Sequence, residues 1–159
     1  MSYAVKNLTQ ASRELIAFRI GDQEFSVNIM SVREIRGWTP AMQLPHAPAD
    51  VRGVINLRGA VLPIVDLSAR LGMKDAEPTA RHVIIVAQVG KRIVGLLVEA
   101  VSDILTITEE NIQPVPEISS DLAKQYAKGI LAFDKRMICM IELDHLFPET
   151  YLEKESEAA

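Results

Sequence analysis

The chain has 159 residues, enough for one ordinary domain or two very small ones. Its 17 Lys and Arg against 21 Asp and Glu give a formal net charge of −4, which argues against nucleic-acid binding because that function needs a dense basic face. Hydrophobic residues make up 48% of the sequence, so we expect a packed core. No apolar run approaches the roughly 18 residues of a membrane span, and the first residues lack a signal-peptide pattern. We therefore expect a soluble, cytoplasmic protein without direct membrane insertion.

The first half of the sequence predicts short β-strands. Runs of Val, Ile and Phe at residues 15–20, 25–27 and 32–35 recur at the spacing of about ten residues that is typical of small barrels and sandwiches. Gly21 predicts a hairpin turn after the first run, and residues 57–60 predict another before the last strand. Asp66 is placed to cap a short helix that Gly72 ends.

The second half repeats this pattern at two constant spacings. The shorter spacing relates Gly21 to Gly90, Val32 to Val101, and Ile35 to Ile104. The longer spacing relates the segments 53–55 and 64–67 to 129–131 and 140–143. The extra length of the second unit therefore falls between its third strand and its glycine-led strand, where residues 119–129 predict a short helix.

The repeat predicts two small β-barrels packed on each other about a pseudo-twofold axis. A barrel of about 65 residues buries too little surface to be more than marginally stable alone. The run 83–87 is apolar on both faces and needs cover on both sides. We expect one barrel subdomain over residues 13–80 and a second over 81–150, with flexible ends at 1–12 and 151–159. The sequence leaves open whether strands are exchanged between the two.

The sequence offers little that resembles catalytic machinery. His46, His82 and His145 are scattered without metal-ligand spacing. Cys139, the single cysteine, permits no internal disulfide and lies in an apolar strand, where a buried thiol behaves as a small hydrophobe. We therefore expect a binding protein rather than an enzyme, with no cofactor and no metal.

Two charged residues and two proline loops are candidate contacts. Glu34 is flanked by apolar residues on a predicted strand, and Arg58 lies at a tight turn. For each, an internal ion pair or turn hydrogen bond is as open as a contact with a partner. The loops at 44–48 and 114–116 are either plain connections or rigid edges that dock a partner at low entropic cost.

Two other function classes stay open from the residues alone. Small barrels often bind nucleic acid, although the acidic balance and the 5% aromatic content disfavour base stacking. The other class is a hydrolase that uses His46 or His145 with a nearby carboxylate.

Residues 32–37, 53–59 and 62–67, with the sequences VREIRG, GVINLRG and LPIVDL, resemble the CheW family of chemotaxis coupling proteins. In the second half, residues 95–105, 111–116 and 128–130 follow in the order that the family shows, so the similarity covers about residues 15–146. The resemblance implies a mainly β fold of two packed SH3-like five-stranded barrels with a few short helices, and no catalysis. It implies an adaptor that links the cytoplasmic tip of methyl-accepting chemoreceptors to the regulatory domain of the CheA histidine kinase at membrane-associated arrays. That regulatory domain shares the fold, but no kinase ATP site or receiver domain is present, which favours a free-standing adaptor.

Residue by residue, the resemblance implies two contact surfaces. The receptor-coupling positions are Val32, Glu34, Gly53, Arg58, Val101 and Ile104. The kinase-facing positions lie in the loop 112–118 and are Ile112, Gln113, Pro114, Pro116 and Ile118. Many relatives are basic where this chain has Gln113. The resemblance also implies alternating rings of adaptor and kinase domains, and weak self-association of the adaptor in rings.

Overall fold

The computed structural model describes residues 12–73, 77–116, 125–133 and 135–148. Within them the chain is mainly β, as predicted, with a few short helices. The elements are β1 (Arg13–Ile20), β2 (Gln23–Asn28), β3 (Val32–Gly37), β4 (Val51–Leu57), β5 (Ala60–Asp66), α1 (Leu67–Arg70), β6 (Val83–Val89), β7 (Arg92–Val98), β8 (Ala100–Ile107), β9 (Ile112–Gln113), β10 (Ala127–Phe133), β11 (Arg136–Ile141) and α2 (Leu143–Leu146). Short 3₁₀ segments occupy Ile29–Ser31 and Glu109–Asn111.

The internal repeat of the sequence is also a repeat of structure. The longer spacing takes β4 onto β10 and α1 onto α2. The shorter spacing takes β2 and β3 onto β7 and β8 to within a residue at each end. Gly21 and Gly90 adopt φ of 61° and 62° in the two predicted hairpin turns, a conformation that glycine tolerates. Asp66 accepts a hydrogen bond from the Ser68 N–H and caps α1, as its position in the sequence predicts.

The strands form two sheets, and each sheet takes strands from both halves of the chain. Sheet A has the order β8-β1-β2-β11-β10-β9, and sheet B has the order β3-β6-β7-β5-β4. In sheet A, β1 pairs antiparallel with β8 and β2 pairs parallel with β11. In sheet B, β6 pairs antiparallel with β3 and β7 pairs parallel with β5. The two halves therefore exchange their first hairpins, and the division of the repeat between residues 80 and 81 stays a prediction.

Three clusters of buried apolar side chains follow from this exchange. Leu15 of β1 belongs to a cluster within sheet A, and Ile84 of β6 belongs to a cluster within sheet B. The largest cluster of the described residues, called the central cluster below, lies between the sheets and contains Phe18, Phe25 and Leu96 from the exchanged hairpins. Successive side chains of a strand point to opposite faces, so β1 and β6 each contribute to two clusters. These two strands are apolar on both faces because each face packs into a different cluster.

The prediction of a helix over residues 119–129 is wrong for residues 127–129, which belong to β10. Residues 117–124 lie outside the described part of the chain, and Ala127 already begins β10. Gly129 is required within that strand, because a Cβ there would lie 2.6 Å from Ile112 Cγ2 of β9. The expected flexibility of the chain ends likewise falls outside the described residues, apart from Ser12.

Phe18 tests whether the central cluster couples the two sheets. It is fully buried there, with its ring centroid 6.0 Å from that of Phe25. We expect Phe18→Ala to lower the free energy of unfolding by about 3–5 kcal/mol, because loss of a buried ring leaves a cavity. Trp38, the single tryptophan, packs against the cluster within sheet B, so its fluorescence reports on the other sheet. In urea, Trp38 fluorescence and far-UV circular dichroism should move together to a lower midpoint.

Met30 provides the control, because its side chain is largely exposed. Met30→Ala should change the free energy of unfolding by no more than about 0.5 kcal/mol. A Trp38 transition that keeps the wild-type midpoint in Phe18→Ala would contradict coupling through the central cluster.

Candidate functional site

Glu34 and Arg58 lie far apart in the sequence and form an ion pair. Glu34 lies on β3 at one edge of sheet B, and Arg58 lies in the turn that follows β4, the strand at the other edge. Arg58 adopts a φ of 51° and Gly59 a φ of 89°, as a two-residue hairpin turn requires. The ion pair therefore brings the two edges of the sheet together, which is what closure of a small barrel needs.

The Glu34–Arg58 pair is charged and accessible. The hydrogen bond from Arg58 lowers the pKa of the Glu34 carboxyl, and Glu34 in turn raises the pKa of Arg58. Arg58 is exposed and Glu34 is half-buried. Exposed ion pairs contribute little to stability. The internal ion pair that the sequence left open is thus present, and contact of either residue with a partner stays a prediction.

Sheet A carries a counterpart of this ion pair. Asp103 on β8 is related to Glu34 by the shorter spacing, and it accepts hydrogen bonds at 3.0 Å from Arg136 Nη1 and Nη2. Arg136 also donates to Glu24 of β2, at 2.6 and 3.2 Å. The hydrogen bonds from Arg136 lower the pKa of Asp103, and the two carboxylates raise the pKa of Arg136. In each sheet, a carboxylate of the third strand of the repeat is therefore bound to an arginine in or beside the last hairpin.

In sheet B, Gly53 determines how closely the preceding loop approaches β4. It is buried at a bulge of β4 with a φ of 137°, and a Cβ there would overlap the Met42 carbonyl oxygen. The adjacent residue, Val54, exchanges backbone hydrogen bonds of 2.8 Å with Met42. Gly53 thus lets the loop before β4 lie directly on the strand.

The apolar positions that are predicted to couple to a receptor fall into two groups. Val32 and Val101 are half-buried and pack against the central cluster. Ile104 on β8 is 57% exposed. Its equivalent in the first half, Ile35 on β3, is 44% exposed. Each third strand of the repeat therefore presents an isoleucine to solvent.

Two further exposed apolar residues lie close in the chain to the arginines of the ion pairs. Val61 on β5 is 75% exposed and closely follows the turn that holds Arg58. Met137 on β11 is 68% exposed and directly follows Arg136. Together with Ile35, these residues are not singled out by local sequence patterns. The signal that could have found them is the repeat, because the shorter spacing relates Ile35 to Ile104 and the longer spacing relates Val61 to Met137.

The predicted kinase-facing loop is divided between the interior and the surface. Ile112 is half-buried and packs against the cluster within sheet A. Gln113 pairs with Ile130 at the edge of that sheet and is exposed, as are Pro114 and Pro116. Ile118 lies outside the described residues.

Cys139 is not activated as a nucleophile. Burial raises the pKa of its thiol to about 11, which keeps it protonated near neutral pH. Across the described ranges, no three His, Cys, Asp or Glu side chains are grouped so that they could hold a metal ion. The helices of the described residues are all too short or too polar to cross a membrane.

Comparison with known proteins agrees with this geometry. Residues 14–150 match the model of the CheW-like domain family. The chain is 76% identical to the probable chemotaxis protein CheW of Rhizobium etli and 68% identical to the chemotaxis protein CheW of Rhizobium meliloti, in both cases over the full length of both chains. Its fold is similar to the crystal structure of the scaffolding protein TtCheW from Thermoanaerobacter tengcongensis, with a TM-score of 0.78 and 28% identity over 86% of this chain and 92% of that one.

Two small packed sheets that present ion pairs and exposed aliphatic side chains define a scaffold built from two SH3-like subdomains. The chain belongs to the CheW family, whose members are non-enzymatic chemotaxis scaffolds. The predicted family, the fold class and the absence of enzymatic function are thereby confirmed.

Gly53 and Gly59 form a matched pair for testing the close approach at β4. Both have positive φ, but no atom lies within 4 Å of a Cβ built at Gly59. We expect Gly59→Ala to cost about 1–2 kcal/mol of stability, from backbone conformation alone. Gly53→Ala should cost about 3 kcal/mol or more, because the Met42 backbone must also move. Equal costs in urea denaturation would show that the approach of Met42 is not a constraint.

Proposed function

We propose that this CheW-family scaffold couples methyl-accepting chemoreceptors to the CheA histidine kinase by docking each on a different surface. The observation that carries the proposal is the exposed apolar and charged surface around the Glu34–Arg58 ion pair, which lies apart in the chain from the exposed proline loop after β9. Recruitment of the chain to membrane-associated receptor arrays follows from the first contact. Incorporation into rings with kinase domains follows from the second.

The receptor surface is proposed to receive an amphipathic helical hairpin. Ile35 and Ile104 are exposed on edge strands of the two sheets, and Val32 and Val101 extend the apolar character inward to the central cluster. An apolar floor of this kind buries the apolar stripe of a helix. The ion pair at its rim sets the register of the helix more than its affinity.

The kinase surface is proposed to be the loop that starts at β9. Pro114 and Pro116 are exposed and restrict the backbone, so docking them loses little conformational entropy. Ile112 supports the loop from inside by packing on sheet A. Ile118, the second isoleucine of the loop, is the proposed anchor.

Charge reversal at Glu34 tests the receptor surface. Glu34→Lys replaces the partner of Arg58 with a second cation, so we expect binding of a receptor-tip fragment to weaken by about tenfold or more. Binding of the kinase regulatory domain should not change. Glu77→Lys makes the same change of charge at an exposed loop residue and should bind both partners as wild type does.

Two outcomes in titration calorimetry and thermal unfolding would contradict the receptor surface. One is unchanged receptor binding by Glu34→Lys. The other is loss of the cooperative thermal transition, which would give Glu34 a structural role instead.

Truncation of Ile118 tests the kinase surface. A central apolar anchor contributes at least about 2 kcal/mol, so Ile118→Ala should weaken binding of the regulatory domain roughly 30-fold. Ile93→Ala, at an exposed isoleucine of β7, is the control and should bind normally. Wild-type affinity of Ile118→Ala in the same titration would remove the loop from the interface.

A further inference from the structure

One end of sheet A contains a cavity of about 200 Å³. It opens where β1 and β10 begin and where β2 and β11 end. Leu15 and Met140 form apolar parts of its wall. The polar residues that line it include Arg13, Ser26, Asn28, Lys128, Glu142 and Asp144. The cavity is larger than the space of one or two water molecules, at about 30 Å³ each in the liquid.

Ser26 gives this cavity a polar group that the fold itself does not use. The residue is fully buried on β2, and its Oγ has no hydrogen-bond partner in the described part of the protein. A buried hydroxyl without a partner destabilises the folded state. Such a group at the wall of a cavity is explained when a ligand supplies the missing hydrogen bond.

The equivalent end of sheet B is packed differently, so the repeat itself does not require the cavity. Gly95 replaces Ser26 there, and a Cβ at Gly95 would lie 2.6 Å from Ile64 Cδ1. Arg52 donates to Asp66 at 2.8 and 3.1 Å, and the Ser68 hydroxyl donates to the same carboxylate at 2.6 Å. At this end of sheet B, apolar side chains therefore occupy the space beside Gly95, and the charged groups are hydrogen-bonded to each other.

In sheet A, the charged groups of the equivalent pair are farther apart. Lys128 and Glu142 are related to Arg52 and Asp66 by the longer spacing of the repeat. Their charged atoms, Lys128 Nζ and Glu142 Oε2, are 3.8 Å apart. The position equivalent to Ser68 is Asp144, which is exposed at the mouth of the cavity. The sheet A cavity therefore keeps cationic and anionic groups at its mouth, whereas the equivalent groups of sheet B are hydrogen-bonded to each other.

We propose that this cavity binds a small zwitterionic molecule of the free α-amino acid class. The lining contains the cation Lys128 and two carboxylates, Glu142 and Asp144, together with Arg13, whose guanidinium is paired with Glu109. A ligand with a single charge therefore meets a like charge at the mouth. A zwitterion offers a carboxylate to Lys128 and to the Ser26 hydroxyl, and an ammonium group to Glu142 and Asp144. The apolar wall then accommodates a short side chain.

The test is a thermal-shift and calorimetric titration of the full chain with glycine, alanine, serine, glutamine and glutamate as probes. We expect at least one probe to bind and to raise the melting temperature. Ser26→Ala should raise the melting temperature of the free protein, because it removes a buried hydroxyl without a partner. The same variant should weaken binding of that probe by about tenfold or more. Asp144→Asn should weaken binding of the same probe without a comparable change in the melting temperature of the free protein.

Ser102→Ala removes an exposed hydroxyl on β8 and is the matched control, with unchanged probe binding. The proposal is overturned if no probe binds, since the cavity then holds water alone. It is also overturned if Ser26→Ala binds the probe as tightly as Ser102→Ala does, or if Ser26→Ala lowers the melting temperature. The melting temperature and the probe affinity do not involve receptor or kinase binding. Both readouts are therefore independent of the proposed adaptor function.

Discussion

The central cluster between the two sheets is the constraint on which the rest of the structure depends. A single sheet of five or six short strands buries so little apolar surface that it is only marginally stable alone. The exchanged hairpins solve this problem because β1 and β6 each contribute to a sheet interior and to the central cluster. Separating the sheets would expose that cluster and would also break the pairing of β1 with β8 and of β3 with β6. The two sheets therefore hold one relative position.

This fixed relation is what a coupling scaffold needs. Ile35 and the Glu34–Arg58 pair lie on sheet B, whereas Ile104 and the proline loop belong to sheet A. A partner docked across both sheets and a second partner on the loop are then held at a constant spacing. On the proposed function, a coupling of about 1–3 kcal/mol between these sites lets the state of the receptor bias the kinase.

The repeat predicted most of the fold because equivalent strands share one apolar pattern, down to the match of 51–57 with 127–133. It could not predict the exchange of hairpins, since a strand that is apolar on both faces needs two covers whichever sheet it joins. Glu34 and Arg58 were each predictable as candidate contacts, but their ion pair arises from closure of the sheet, which no local pattern encodes. Arg136 lies just beyond the position that the longer spacing relates to Arg58, so the repeat alone does not disclose it. Ser26 carries no sequence signal, because its significance is the cavity beside it.

Sedimentation velocity tests most directly whether the chain holds two partners at once. The full chain is mixed with a receptor-tip fragment, with the CheA regulatory domain, and with both together, at concentrations above each binary dissociation constant. Docking on separate surfaces predicts a species with the mass of all three components. Competition, in which the regulatory domain displaces the receptor fragment and only binary species sediment, would contradict two independent surfaces on one rigid pair of sheets.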